Sequence, residues 1–121
     1  MKIVFHSAEL TRENIVFKNI KNLIKEIQNT EDKCHPGFND NVKICVVFNS
    51  DAVKTLVQNS EKKVNTDWEA LPKNVELLAC QNSLNGMNLQ SNQLIKRACV
   101  ISSGVYQLAL LQAQGFHYIR P

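Results

Sequence analysis

The chain offers four cysteines (Cys34, Cys45, Cys80 and Cys99) and three histidines (His6, His35 and His117) as its nucleophiles and proton carriers near neutral pH. Cys80 differs from the rest by its setting. In "VELLACQNSL" an apolar run leads straight into the thiol, and Gln81, Asn82 and Ser83 follow at once. A cysteine that ends a strand and begins a helix faces free backbone N–H groups and the positive end of a helix dipole. That field lowers a thiol's pKa and favours the nucleophilic thiolate. The competing reading is a buried, inert thiol, because free cysteine is among the most buried residue types. Spacing alone leaves both readings open.

The other cysteines have plainer settings. Cys45 lies inside the continuous apolar run "VKICVVF" and is expected in the core, as is Cys99 at the start of "ACVI". Cys34 sits beside His35 in a polar stretch, where nothing orients it. There is no C-x-x-C pair, and no second close pair completes a site around Cys34-His35, so no metal is expected. His6 follows the first apolar run and is a candidate neighbour for a thiolate. His117 lies between Phe116 and Tyr118, which suggests packing or a subunit contact. The chain has no P-loop, no G-x-G-x-x-G and no G-x-S-x-G, so nucleotide-dependent and serine-hydrolase chemistry lack their usual signatures.

The elements that would position these groups alternate along the chain. "KIVF" at Lys2–Phe5 reads as a buried strand. In the next segment Val16, Ile20, Leu23, Ile24 and Ile27 share one helical face, with Thr11 as N-cap and an end near Asn29. Pro36-Gly37 marks a loop. Val42–Phe48 is apolar at nearly every position, as in a strand covered on both faces. A short helical segment capped by Ser50 or Asp51 should follow, burying Val53, Leu56 and Val57. Trp68 and Leu71 fit one helical turn before Pro72. Val75–Cys80 is a third strand, and a short helix after it should break near Gly86. Ala98–Ile101 is a fourth strand. The helix after it, capped at Ser102 or Ser103 and stopped by Gly115, is apolar over most of its circumference and is expected to be buried. Phe116–Ile119 makes a fifth strand. The alternation predicts one α/β domain over residues 1–121, three layers thick, with a mainly parallel sheet.

In such sheets ligands bind beyond the carboxyl ends of the strands. Here those ends are His6-Ser7, Asn49-Ser50-Asp51, Cys80 through Ser83, and Ser102-Ser103-Gly104. Serine, asparagine and aspartate are also ordinary helix caps, so each position has a structural reading beside a functional one. Cysteine is not a capping residue, which again singles out Cys80.

Composition narrows the remaining classes. The net charge of +3, from 14 Lys and Arg against 11 Asp and Glu, is mild, and the basic residues are dispersed. No nucleic-acid partner is expected, since that needs a basic stripe. No run approaches the ~20 apolar residues of a membrane span. The apolar run in "MKIVFHSAE" is too short for a signal peptide, so a cytoplasmic protein with reduced thiols is expected. The apolar last helix and aromatic last strand exceed what one small core hides, which predicts self-association.

The ordered set "KIVFH", "NIKNLIKE", "VKICVVFNSDAVKTL", "VELLACQNSL" and "VISSGVYQLALLQAQGFHYIRP" resembles the DsrE/DsrF-like family of small sulfur-handling proteins almost end to end. The resemblance implies a three-layer α/β/α sandwich with a five-stranded sheet, and homo-oligomers that are commonly trimers or hexamers. In sulfurtransferase members a cysteine after the third strand accepts sulfur as a persulfide and hands it on. Cys80 stands at that place. On this reading Asn82, Ser83 and the Ser103-Gly104 turn line the site and His6 assists. No metal or organic cofactor takes part, and the partners are a sulfur donor and acceptor, proteins among them. Two alternatives stand beside it. One is a non-enzymatic homo-oligomeric module that binds a small ligand or a protein at the same rim. The other is a cysteine that senses oxidants.

Overall fold

The computed structural model describes residues 1–30, 42–58 and 66–121. Cys34, His35 and the Pro36-Gly37 loop lie outside the described residues. Five strands form one sheet: β1 (Lys2–Ser7), β2 (Lys43–Phe48), β3 (Val75–Cys80), β4 (Ala98–Ile101) and β5 (His117–Ile119). Their order is β4-β3-β2-β1-β5, and every neighbouring pair is parallel. The helices are α1 (Glu13–Thr30), α2 (Gln81–Gly86) and α3 (Gly104–Ala113).

The unbroken apolar character of β2 and β3 follows from cover on both faces. On one face Ile3, Phe5, Ile44, Val46, Phe48, Val75, Leu77 and Ala79 meet Val16, Phe17, Ile20 and Ile27 of α1. Trp68 is buried there, edge-on to Phe17 and Phe48, and its indole N–H donates to Thr55 Oγ1 at 2.9 Å. The alternate residues Val4, Cys45, Val47 and Leu78 face the opposite way and meet Leu108 and Leu111 of α3. These are the layers of an α/β/α sandwich.

Several local expectations are corrected. Thr11 is not an N-cap: it lies inside a 3-10 turn, Leu10–Arg12, and the Leu10 N–H donates instead to Asp51 Oδ1 at 2.9 Å. Neither Ser50 nor Asp51 caps its own segment. That segment is a 3-10 helix, Ser50–Leu56, whose N-cap position is held by Asn49 without a side-chain cap bond. α3 is capped by Ser103, as one of the two expected caps, but it is not buried. Only Gly104, Leu108 and Leu111 are covered, because one sheet face takes one stripe of a helix. Val105 is 71% exposed and Tyr106 64%. Cys99 is likewise exposed rather than core, since β4 is an edge strand and α3 packs mainly on β1, β2 and β3.

Candidate functional site

The parallel sheet brings the carboxyl ends of its strands to one rim. Cys80 is the last residue of β3 and occupies the N-cap position of α2, with extended backbone angles (φ −73°, ψ 120°). Its side chain belongs to the face covered by α3, like that of Leu78 two residues before it. The residue is only 4% exposed.

The surroundings of the sulfur explain its acid strength. Burial is the largest influence and opposes ionisation. Against it act the Ser83 hydroxyl and the backbone N–H groups of Gly104, Ser83 and Asn82. Together they hold the thiol below its ordinary value of 9.0. The sulfur closes no N-cap hydrogen bond of ordinary geometry, so these groups act as a convergent field of donors around an anion.

Each donor has a traceable origin. Ser83 Oγ accepts from the Ser50 N–H at 2.7 Å, which leaves its own hydrogen for the sulfur. Ser50 can offer its N–H there because its backbone is in the left-handed region, φ 56°, an uncommon conformation for a residue with a side chain. Gly104 is the first residue of α3. A Cβ placed on it would lie 3.3 Å from Cys80 Cβ and 3.2 Å from Asn49 Cβ, closer than side-chain carbons usually approach. Glycine therefore lets the amino end of α3 close over the cysteine. Ser103 does different work: its Oγ accepts from the Tyr106 N–H at 3.2 Å and caps the helix. Asn82 contributes its backbone N–H, while its side chain is exposed.

His6 shares the rim without touching the sulfur in a hydrogen bond. Its Nε2 is 2.9 Å from Asn49 Oδ1 and its Nδ1 is 2.5 Å from the Tyr118 hydroxyl. Burial lowers its pKa most, the Asn49 bond raises it, and the Arg120 charge lowers it again, for a net fall below 6.5. Asn49 was visible as a strand-end residue, but Tyr118 joins the site only because β5 pairs with β1 and aligns Tyr118 with Val4.

Cys45 provides a contrast within the same sheet. Burial and the adjacent Glu76 carboxylate push its thiol up to about 12, and its Sγ lies 3.7 Å from Glu76 Oε2. Glu76 is four strand residues before Cys80, or about 13 Å away at the usual rise. Among the described residues no group of three His, Cys, Asp or Glu side chains could hold a metal ion, and no helix is long and apolar enough to cross a membrane.

A parallel five-stranded α/β sandwich, with a cysteine at the strand rim between two helix starts, is the architecture these residues build. The chain belongs to the DsrE/DsrF-like family, whose model matches residues 2–121. Among solved structures it is similar to the protein of unknown function MTH1491 from Methanobacterium thermoautotrophicum. That match has 28% identity and a TM-score of 0.78, over 99% of this chain and 98% of that one. The ychN protein from E. coli shares the fold at 17% identity and a TM-score of 0.67, over 100% of this chain and 99% of that one. No curated protein matches the chain.

Proposed function

We propose that this protein is a sulfur carrier whose working atom is Cys80 Sγ. The observation that carries the reading is the set of donors from Ser83, Gly104 and Asn82 that lowers the pKa of a nearly buried thiol. The Cys80 thiolate attacks the sulfane sulfur of a donor persulfide, R–S–SH. The donor's S–S bond breaks, its electron pair leaves on R–S⁻, and Cys80 holds the sulfur and its proton as Cys–S–SH. An acceptor thiolate then attacks the outer sulfur and releases the Cys80 thiolate. Oxidation state is conserved through the cycle, so the exchange itself calls for no redox cofactor. Asn82, Ser83 and the Ser103-Gly104 turn form the wall around the sulfur, and His6 supports that wall through Asn49.

Treatment with a polysulfide should add about 32 Da, one sulfur atom, to the wild type and nothing at position 80 in Cys80→Ser. Cys45 should stay unmodified at neutral pH, because its thiol is pushed up to about 12.

We further propose that the working form is a homo-oligomer, a trimer or hexamer, in a cytoplasmic setting. The exposed apolar residues Val105, Tyr106 and Leu110 of α3 and Tyr118 and Ile119 of β5 support self-association. Light scattering at micromolar concentration should give a multiple of the 13.7 kDa chain mass, and a monomer there would contradict the proposal.

A further inference from the structure

Cys80 shares its face of the sheet with a second thiol on the neighbouring strand. β3 and β4 pair so that Leu78 stands beside Cys99 and Cys80 beside Ile101. Leu78 and Ile101 both pack on the side that carries α3. Cys80 lies two residues after Leu78 and Cys99 two before Ile101, so both point to that same side. The two cysteines are therefore diagonal neighbours on adjacent strands, with Leu78 and Ile101 at the other two corners. At the usual strand spacing and rise their Cα atoms are about 8 Å apart. A disulfide cannot bridge more than about 7 Å without backbone movement. One added sulfur lengthens either thiol by an S–S bond of about 2 Å, which carries its outer sulfur toward the other.

The accessibility of the pair is opposite. Cys80 is 4% exposed, under the amino end of α3. Cys99 is exposed, since α3 packs mainly on β1, β2 and β3. A donor in solvent thus meets Cys99 first, while the groups that stabilise an anion surround Cys80. We propose that Cys99 is the entry thiol of this protein, taking sulfane sulfur from a persulfide donor in solvent and handing it to Cys80. The Cys99 thiolate attacks the outer sulfur of R–S–SH, the donor's S–S bond breaks, and its electron pair leaves on R–S⁻. Cys99 then holds the sulfur as Cys–S–SH and is itself the immediate donor to Cys80. The Cys80 thiolate attacks that outer sulfur, the S–S bond at Cys99 breaks, and the Cys99 thiolate is restored. Oxidation state is conserved in both steps. The sulfur comes to rest where Ser83, Gly104 and Asn82 favour negative charge. The inference rests on the sulfur-carrier reading and adds the route by which sulfur reaches a nearly buried atom.

The test is the rate at which one sulfur, about 32 Da, appears on the Cys80 and Cys99 peptides after mixing with glutathione persulfide. Wild type, Cys99→Ser and Cys80→Ser are compared. In the wild type the sulfur should end on the Cys80 peptide. In Cys99→Ser that peptide should load about tenfold more slowly, because exchange rates depend on access to the attacking thiol. In Cys80→Ser the sulfur should stop on Cys99. Loading of Cys80 at the wild-type rate in Cys99→Ser, or a bare Cys99 peptide in Cys80→Ser, would overturn the inference and leave the sulfur-carrier reading standing. Iodoacetamide alkylation of Cys80, which involves no sulfur transfer, separates relay from structure. If Cys99→Ser slows alkylation as much as it slows loading, the loss lies in the fold around Cys80 and the inference fails. A wild type that never carries sulfur on Cys80 would overturn the carrier reading and this inference with it.

Discussion

Ser83→Ala is expected to slow alkylation of Cys80 at neutral pH about tenfold and to move its pH midpoint up by about one unit. The Ser83 hydroxyl is the first of the groups that oppose burial at the sulfur, and a hydrogen bond to an anion is stronger than one between neutral groups. The variant also removes the acceptor of the Ser50 N–H, which a water can replace at that exposed residue. The consequence for stability has a definite sign. Cys80 has a lower pKa folded than its ordinary 9.0, so its contribution is complete above that value and is lost as pH falls through the folded one. Wild type and Ser83→Ala should therefore differ least at acid pH, where the thiol is protonated, and diverge toward about pH 9, with the variant less stable. Alkylation rates and denaturant midpoints measured over that range check both parts. Equal rates for the two proteins would show that the hydroxyl does not reach the sulfur.

Arg97→Met is expected to cost about 3 kcal/mol of stability, or roughly 10 °C in melting temperature. Arg97 stands just before β4 and gathers the carbonyls of the segment that leads into β3. Its Nη1 donates to Trp68 O at 3.4 Å, Glu69 O at 3.1 Å and Leu71 O, and its Nη2 to Pro72 O and to Val75 O at 2.8 Å. Methionine keeps an unbranched apolar stem and removes every donor, which leaves partly buried carbonyls unpaired. The arginine thus anchors the connection that carries the buried Trp68 and starts the strand whose far end is Cys80. Calorimetry on the variant measures the loss, and a melting temperature within a degree or two of wild type would show that these bonds exchange freely with water.

The fold was legible because its signals are periodic. The apolar stripe of α1, the unbroken runs of β2 and β3 and the alternation of strands and helices each have one good burial solution. Cys80 was legible for a related reason: a cysteine where a cap belongs is out of pattern. What escaped was set by neighbours that sequence spacing does not reveal. α3 reads as a buried helix from its own residues, yet only one sheet face is available to it, and Val105 and Tyr106 stay outside. Cys99 reads as core because "ACVI" is apolar, but β4 ended at the edge of the sheet. Thr11 lies inside a 3-10 turn whose Leu10 N–H is met by Asp51, 41 residues further along the chain, a partner no local rule finds. Tyr118 reaches His6 across 112 residues of sequence, and only the β1–β5 pairing places it there.

The sulfur-carrier proposal for Cys80 stands or falls on intact and peptide mass of the wild type after exposure to a polysulfide and then to an acceptor thiol. The Cys80 peptide alone should gain about 32 Da and lose it again to the acceptor, with the acceptor gaining the same mass, and Cys80→Ser should show no such gain at that position. Equal labelling of all four cysteines, an adduct at Cys80 that does not transfer, or no adduct there would contradict it.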